Sequence, residues 1–320
     1  MALKYPNKIK RAGYWKSYER SKIKDYRKVW DTAMEFIAEE DIPFQFSKFG
    51  RKPNLTRKEY VCMAIMYAYF NRDFRETEFM IRVLTGKNLD HSNCVRWFGR
   101  LTPFYINDLV YKVHKKIISI SDIGDYVADS TKLSCDRYEP VLIVADETVK
   151  KQMLKIHILI QYLVQIGILS IVSVFVSSGE VNDGPSLRNE LLKKERIIPG
   201  KKCHADKGYF GKENLRKCEE LGLQPNMVPQ DVKYTDAYLK RYVRKGYDNE
   251  SRKQNRGMVE GVFGGMEKDT EMKVRCRKPE HREIFVSLLA LKYNLRACLR
   301  ATALKVLFYF APTPNFWLII

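Results

Sequence analysis

Closely spaced cysteines are missing from this sequence of 320 residues. It has seven cysteines, an odd number, and no two of them stand at the C-x-x-C spacing that zinc sites use. The sequence therefore disfavours a disulfide framework and a closed zinc site, and it predicts a reducing, cytosolic environment. An apolar signal core is missing as well: residues 1–22 are basic and aromatic, which disfavours secretion.

Acidic residues are outnumbered along the whole chain. There are 57 lysines and arginines against 38 aspartates and glutamates, so the formal net charge is +19. An excess of this size predicts a polyanionic partner, either nucleic acid or an acidic membrane surface. Apolar residues make up 45% of the chain, which is enough for a hydrophobic core and excludes a wholly disordered protein.

Charged residues are absent from one long apolar run, residues 156–176. Its length would cross a bilayer, which keeps a membrane protein open as an alternative. The run is rich in β-branched residues, however, and it contains Gln161, Gln165 and a glycine at position 167. These features favour two buried strands joined by a tight hairpin.

The first 120 residues predict a helical region that follows a basic arm. Residues 1–50 are weakly patterned and are interpreted as the arm, whereas residues 51–120 are interpreted as a DNA-binding region of short helices. Thr56 and Glu59 have the spacing of a capping box, and an apolar run follows them. This pattern predicts a helix that begins just after Thr56.

The last short helix of this region, NCVRWFGRL, admits two interpretations. With Arg96, Trp97 and Arg100 exposed, it resembles the second helix of a helix-turn-helix, which enters the major groove of DNA. Alternatively, it belongs to a small helical bundle in which Trp97 and Phe98 are part of the core. The sequence alone does not separate the two interpretations.

From about residue 121 the pattern changes to strands that alternate with helices. This order predicts an α/β domain over residues 121–310, with a basic insert at about residues 223–255. The predicted strands cover residues 126–131, 140–145, 155–178 as a hairpin, 202–205 and 224–229. The predicted helices cover residues 185–194, residues 212–221, about four turns from Arg256, and residues 282–308, with a polar interruption at residues 231–255.

Three isolated acids stand out in this second region. Asp129 lies within an apolar strand, Asp206 ends another strand, and Glu260 lies in a helix. A buried carboxylate is costly unless it is paired or binds a cation, and Mg²⁺ or Mn²⁺ sites are built from such oxygen ligands. Two such ions can activate water or a 3′-hydroxyl for phosphoryl transfer. In the alternative interpretation, Asp129 faces solvent at a sheet edge and Asp206 only caps a turn.

These acids belong to longer segments that occur in a fixed order. The segments are TRKEYVCMAIMYAYF, FRETEFMIRVLTG, DHSNCVRWFGRL, YVADSTKLS, KIHILIQ, ILSIVSVFVSSGEVNDG and HADKGYFGKENLRKCEELGLQPNMVPQ. Together they lie within residues 50–300, and they resemble the DDE transposases encoded by prokaryotic insertion sequences. The shared order, a helical DNA-binding region followed by Asp, Asp and Glu, makes the resemblance specific.

The resemblance implies a fold, a site and an activity. It implies an RNase H-like core with a mixed sheet and flanking helices, in which Asp129, Asp206 and Glu260 match the three catalytic, metal-binding acids. Two Mg²⁺ ions, for which Mn²⁺ can substitute, are the implied cofactors. The implied activity is cleavage of DNA at terminal inverted repeats and strand transfer into target DNA. The working form would be a homodimer on DNA, in the cytoplasm and associated with the nucleoid.

The family pattern around its glutamate sets the register of the third acid. The pattern is Tyr, two residues, Arg, three residues, Glu, six residues, Lys; Arg256 and Glu260 match it and lie on one helix face. Arg256 is therefore a predicted contact to DNA phosphate. The tyrosine position holds Lys253, and the lysine position holds Glu267 with Lys268 one residue later. Glu267 is thus a second candidate for the third acid, and the implied lysine contact to DNA falls on Lys268.

Polar residues near the acids are further candidates. Lys207 and Tyr209 flank the second aspartate and are predicted to contact a phosphate, with packing or solvent exposure as the alternative. Lys155 and His157 alternate along one strand and are expected to face the same side of the sheet as the acids. Asp183 is interpreted as an acid in a loop.

Double-stranded DNA is the predicted partner, and no membrane association is predicted. Arg96 and Arg100 would contact it from the helical region, and the insert would contact it through lysines and arginines interleaved with tyrosines. Two other functions stay open. One is a catalytically inactive or domesticated sequence-specific DNA-binding protein, which the departures at Lys253 and Glu267 would suit. The other is a plain RNase H-like nuclease, which would cut DNA without joining it.

Overall fold

The computed structural model describes most of the chain. The described residues are 25–49, 52–120, 122–135, 153–164, 167–230, 235–245, 247–270, 274, 276 and 278–310. Inside helices, the side chains of residues 252–256, 267–270 and 304–310 lie outside this description. The first 24 residues of the expected arm and the strand predicted at residues 140–145 also lie outside it.

Five helices form the N-terminal part of the described chain: α1 Tyr26–Phe36, α2 Arg57–Phe70, α3 Phe74–Thr85, α4 His91–Phe98 and α5 Pro103–Ile118. The side chain before each helix accepts a hydrogen bond from a backbone N–H of the first turn; these caps are Asp25, Thr56, Asp73, Asp90 and Thr102. The predicted capping box of Thr56 and Glu59 is confirmed. Helix α1 begins within the segment interpreted as an arm, and its Val29 and Trp30 are buried.

The burial of Trp97 decides between the two interpretations of α4. Its side chain is only 7% exposed and that of Phe98 is fully buried, so the core interpretation of these two residues is confirmed. The ring of Trp97 stacks on Tyr60 of α2, with 4.9 Å between the ring centroids. Arg96 and Arg100 are exposed, so the surface of the helical region at α4 carries two cations.

A five-stranded sheet forms the second part of the described chain. Its strands are β1 Ile123–Ser134, β2 Met153–Leu163, β3 Ile168–Ser178, β4 Lys202–Ala205 and β5 Gln224–Met227. The order across the sheet is β3-β2-β1-β4-β5. The first three strands are antiparallel neighbours, and β4 and β5 run parallel to β1. This mixed sheet with flanking helices is the RNase H-like core that the sequence predicted.

The long apolar run forms the hairpin of β2 and β3, as predicted. Gly167 lies in its turn with φ of +63°, a left-handed conformation that glycine adopts without strain. Both strands are buried along most of their length, which accounts for their lack of charged residues. None of the described helices is long and apolar enough to cross a membrane.

The helices of the second part are α6 Asp183–Ser186, α7 Lys212–Glu220, α8 Ala237–Lys245, α9 Asn249–Thr270 and α10 Pro279–Phe310, and a π-helical turn, Leu187–Leu191, extends α6. The predicted polar interruption at residues 231–255 is wrong in part, because α8 and about the first two turns of α9 lie within it. Helix α9 begins at Asn249 rather than at Arg256, because the Asp248 carboxylate accepts a hydrogen bond from the backbone N–H of Ser251.

The two faces of the sheet belong to two separate hydrophobic clusters. Val127 and Ile158 point into the larger cluster, which also contains residues of α9, α10 and the N-terminal helices. Tyr126 and Leu159 point to the other face, which the turn after α6 and helix α7 cover. Successive side chains alternate between the faces of a strand, so the odd-numbered buried residues of β1 meet the larger cluster and the even-numbered ones the smaller. The helical region and the sheet therefore share one core.

Candidate active site

The register of β1 and β4 places two of the predicted acids side by side. Ala128 of β1 is the partner of Ala205 in the parallel strand β4, and the next residues are Asp129 and Asp206. Neighbouring strands lie about 4.8 Å apart, and residues in equivalent positions of a parallel pair point to the same face. Asp129 shares its parity with Val127, so both aspartates face the larger cluster.

Glu260 approaches the same face of the sheet from helix α9. Val259, Val262 and Phe263 of this helix are buried in the larger cluster, and α9 contacts both β1 and β4. Glu260 is exposed and lies at the edge of this buried stripe. Packing of the apolar stripe therefore fixes where the carboxylate stands relative to the two aspartates.

One cleft brings the three acids together. It has a volume of about 520 Å³, and its lining includes Asp129 and Thr131 of β1, Asp206 after β4, and Glu260 of α9. The backbone N–H of Ser130 donates a hydrogen bond of 2.8 Å to Asp129 Oδ1, which orients that carboxylate. Three carboxylates from separate elements are a donor set that fits Mg²⁺ or Mn²⁺, because these ions prefer oxygen ligands.

A buried histidine beside the cleft links strand β4 to the start of α9. His204 Nδ1 lies 2.8 Å from the Asn226 amide nitrogen, and Nε2 lies 3.2 Å from Asp125 Oδ2. Asn226 Oδ1 accepts from the backbone N–H of Asp248, which fixes the orientation of the amide. The Asn226 nitrogen therefore donates to Nδ1, and His204 donates from Nε2 to Asp125.

The same amide ties down the residue before α9. Asn226 donates to the carbonyl of Asp248 at 3.0 Å and accepts from its N–H at 2.9 Å, so both backbone groups of Asp248 are held by one side chain. Burial favours a raised pKa for Asp125, but hydrogen bonds from His204 and Lys202 outweigh it and keep the pKa below its ordinary value. The alternation of side chains along a strand could have indicated His204, because His204 and Asp206 are two residues apart and so lie on the same strand face. Nothing in the sequence indicated Asn226.

The expectation that Lys155 and His157 face the same side as the acids is wrong. In the register of β1 and β2, His157 is the partner of Ser130, whereas Asp129 is the partner of Ile158. His157 and Lys155 therefore point to the face opposite Asp129, because side chains alternate along a strand. Asp183 is also not an acid in a loop: it is the first residue of α6, and its carboxylate meets Lys155 and His157 on that opposite face.

The remaining predicted site residues lie in different surroundings. Lys207 is exposed next to Asp206. Tyr209 is 1% exposed and packs in the smaller cluster, and burial and the charges of nearby carboxylates raise the pKa of its hydroxyl. The backbone of α9 contains positions 256 and 268, but the side chains of Arg256 and Lys268 lie outside the described part. Arg96 and Arg100 lie on the helical region and are absent from the lining of the cleft.

The fold and the cleft together define a class of protein. An RNase H-like sheet that gathers carboxylates at adjacent strand ends is the arrangement of metal-dependent enzymes that transfer phosphoryl groups on nucleic acids. A family model described as Transposase DDE domain matches residues 123–295, and the chain belongs to this family. No curated protein matches the chain.

Membership of the family sets the activity in outline. The protein is a DDE-type transposase, an enzyme that transfers phosphoryl groups on DNA during transposition. It binds DNA, and enzymes of its family generally use divalent metal ions. The matched range begins at β1 and ends within α10, so it contains Asp129, Asp206 and Glu260.

Proposed function

We propose that this transposase cuts DNA at the terminal inverted repeats of its element and joins the freed 3′ ends to target DNA. The observation that carries the proposal is the meeting of Asp129, Asp206 and Glu260 at one cleft. Both reactions are attacks of an oxygen nucleophile on a phosphodiester, so one set of carboxylates serves them in turn.

Asp129, Asp206 and Glu260 hold two Mg²⁺ ions in this proposal, and Mn²⁺ can replace them. Ions bound there would activate the attacking oxygen and stabilise the leaving oxygen. The protein contributes position: the two aspartates extend from paired strands, and Glu260 is carried by a helix packed on the same face. Water and then a 3′-hydroxyl are the nucleophiles, so no side chain forms a covalent bond to DNA.

Cationic side chains of three segments are the proposed contacts to DNA. Lys207 adjoins Asp206, and Arg256 and Lys268 belong to the helix of Glu260. Helix α8 of the insert has exposed cations at Lys240, Arg241, Arg244 and Lys245. Backbone phosphates are the natural partners of such side chains, because binding releases the counterions of DNA.

The helical region is the proposed reader of the inverted repeats. Arg96 and Arg100 are exposed on adjacent turns, and the guanidinium of Arg100 lies 4.6 Å from the centre of the Trp97 ring. Stacking on a buried ring restricts the arginine and leaves its N–H groups available for phosphate or guanine. Tyr209 is left out of the proposed contacts because its side chain is buried.

A homodimer is the proposed working form, because two element ends must be cut and each needs an active site. Its substrate is chromosomal or plasmid DNA, which places the proposed site of action in the cytoplasm, in association with the nucleoid. Two other functions compete with this proposal: an inactive DNA-binding protein, which the departures at Lys253 and Glu267 would suit, and a nuclease that cuts without joining.

The test uses a plasmid that carries this gene with its native flanking DNA. Purified protein is incubated with the plasmid and Mg²⁺, and 3′ ends are mapped for the wild type and for Asp206→Asn. We expect breaks at two flanking inverted repeats, joined products when target DNA is added, and neither with Asp206→Asn. Binding of the ends without breaks, in Mg²⁺ or Mn²⁺, would support the inactive binder, and breaks without joining would support the nuclease.

The third acid is tested in the same assay by a matched pair of variants. Glu260→Gln and Glu267→Gln each remove one carboxylate from helix α9, seven residues apart. We expect Glu260→Gln to abolish cleavage and Glu267→Gln to retain most of it. The reverse result would transfer the role of the third acid to Glu267.

A further inference from the structure

Asp183 gathers three polar side chains on the reverse face of the sheet. Its Oδ1 accepts a hydrogen bond of 2.9 Å from the hydroxyl of Ser130 and lies 2.7 Å from Lys155 Nζ. The same oxygen lies 3.3 Å from Nδ1 of the fully buried His157. One carboxylate oxygen therefore ties α6 to β1 through Ser130 and to β2 through Lys155, with His157 close beside it.

The other oxygen of Asp183 lies against the turn that follows β4. A methyl group added at Gly208 would stand 3.0 Å from Asp183 Oδ2, closer than ordinary carbon–oxygen contacts. Gly208 belongs to the short turn Lys207–Tyr209, which begins directly after Asp206. The carboxylate thus touches this turn so closely that only glycine fits there without a shift.

These contacts connect the two aspartate-bearing segments from behind. Ser130 follows Asp129 directly and points to the opposite face of β1, and Gly208 stands two residues after Asp206. Asp183 is in contact with both. It reaches the backbone next to each aspartate without entering the cleft, since Asp183 is absent from the lining of the cleft.

We propose that Asp183 is a positioning residue that fixes the distance between the Asp129 and Asp206 carboxylates and so sets the affinity for metal ions. This inference rests on the proposed function, in which those two carboxylates hold the ions. Groups that orient metal ligands without touching the metal typically change metal affinity or activity about 10–100-fold when they are removed. Asp183 would act on two ligands at once.

The burial and charge of the side chains around Asp183 favour a fixed position for its carboxylate. The Asp183 side chain is 20% exposed and that of Lys155 is 13% exposed, so water screens their attraction only partly. Burial favours a raised pKa for Asp183, but His157, Lys155 and Ser130 outweigh it and lower the pKa to about 2. The carboxylate is therefore ionised at every pH at which the folded protein would work.

The experiment measures Mn²⁺ binding to the purified full chain by the loss of the free-ion electron paramagnetic resonance signal. We expect Asp183→Ala to raise the dissociation constant for Mn²⁺ about 10–100-fold. Raising the Mn²⁺ concentration should restore much of its cleavage of the flanking inverted repeats. Ser130→Ala removes only one hydrogen bond and should weaken Mn²⁺ binding less, and it tests the same link if Asp183→Ala does not fold.

A double-mutant cycle with Gly208 distinguishes the proposed contact between Asp183 and Gly208 from a general effect on stability. Gly208→Ala should weaken Mn²⁺ binding in the wild type, because the new methyl group displaces the Asp183 carboxylate. In the Asp183→Ala background the carboxylate is gone and the methyl group has room, so Gly208→Ala should then have little further effect. Equal effects of Gly208→Ala in both backgrounds would overturn the proposed contact.

Two control variants separate this inference from general destabilisation and from the proposed function. Asp108→Ala breaks another partly buried ion pair, with Arg196, away from both aspartate segments, and it should leave Mn²⁺ affinity unchanged. Asp206→Asn should abolish Mn²⁺ binding at the cleft. If Asp206→Asn loses binding while Asp183→Ala and Ser130→Ala stay within twofold of the wild type, the positioning role is wrong. If Asp206→Asn binds Mn²⁺ normally, the proposed metal site itself is wrong.

Discussion

His114 is a titratable side chain buried at the junction of helix α5 and strand β3. It is 1% exposed, and its Nδ1 lies 3.0 Å from the hydroxyl of Ser170. Asn294 of α10 continues the junction: it accepts from the backbone N–H of Ile171 and donates to the carbonyls of Ile171 and Val110. Buried polar groups of this kind are satisfied only in one arrangement, so they fix how helix α10 lies on the sheet.

The pKa of His114 predicts acid sensitivity. Burial, together with the charge of Arg196, lowers this pKa from 6.5 to about 3 in the folded chain. Between these values the unfolded chain binds a proton that the folded chain does not, so stability falls as pH falls below 6.5. We expect the free energy of unfolding to drop by about 1.6 kcal/mol between pH 6.5 and pH 5 because of His114 alone.

Urea unfolding at several pH values measures this dependence. His114→Gln is the matched variant, because glutamine can still hydrogen-bond to Ser170 but does not titrate. Its free energy of unfolding should change less with pH than that of the wild type over the same range. Parallel curves for the two proteins would mean that another group causes the acid sensitivity.

At the scale of elements, helix α9 is the one whose composition is least suited to its conformation. It contains glycines at positions 257, 261, 264 and 265, and its first turn is polar. Each glycine costs about 1 kcal/mol relative to alanine in a helix. The helix is held instead by its buried apolar stripe and by the hydrogen bonds between Asn226 and Asp248. Its position over the aspartates therefore depends on tertiary contacts.

Gly261→Ala should stabilise the protein. A methyl group at this position meets no heavy atom within 4 Å, so the substitution adds helix propensity without a clash. We expect a gain of about 0.5–1 kcal/mol in the free energy of unfolding, measured in urea. Gly222→Ala is the contrasting variant: φ is +70° there and the new methyl group would stand 2.8 Å from Pro199, so it should destabilise. A loss of stability in Gly261→Ala would contradict the argument.

Asn226→Ala should loosen the start of α9. It removes one buried hydrogen bond to His204 and two partly buried ones to Asp248, at an expected cost of about 2–3 kcal/mol. Hydrogen exchange followed by mass spectrometry should show faster exchange in the first turn of α9, and DNA cleavage should fall with it. Asn54→Ala, which removes an exposed hydrogen bond, is the control and should change neither. Unchanged exchange in Asn226→Ala would show that the helix is held by its apolar stripe alone.

At the scale of the whole molecule, two features bear on DNA binding: one shared hydrophobic core and a large positive charge. The helical region and the sheet share one hydrophobic cluster, which α10 joins by contacting α5, β3 and α2. The chain has a net charge of +19, and helix α8 exposes four cations in nine residues. A strongly basic chain that exposes cations in this way suits a long polyanion better than a small ligand.

The salt dependence of DNA binding tests the role of α8. Lys240 and Arg244 stand one turn apart on one face of this helix, and both are exposed. Replacing both with glutamine should reduce the slope of log K against log salt concentration by about 1.8, because each phosphate contact contributes about 0.9. Binding isotherms from 50 mM to 200 mM salt give the slope.

The control protein has Lys193 and Lys217 replaced with glutamine. These lysines form ion pairs with Glu190 and Glu220, so the replacements should leave the slope unchanged. Equal slopes for all three proteins would remove α8 from the DNA interface.

The local features of this protein follow from its amino-acid sequence alone. The capping box before α2, the hairpin of β2 and β3, the strand at Lys202–Ala205 and the helix after it follow from spacing and composition within short windows. Resemblance to a family implied the RNase H-like core and set the register of the third acid, Glu260. Local patterns sufficed there because caps, turns and apolar alternation act over a few residues.

Which side chains meet depends on how the strands and helices are assembled. The register of β1 and β2 sends Lys155 and His157 away from the acids, and a shift by one residue would have reversed that result. Asp183 and Asn226 acquire their roles from partners 53 and 22 residues away in the chain, which no local pattern encodes. The start of α9 was missed in part for the same reason: its cap, Asp248, is local, but the backbone of Asp248 is held by Asn226 of β5, 22 residues away. Pairing register and long-range hydrogen bonds are set by the packing of whole elements, so local sequence patterns do not predict them.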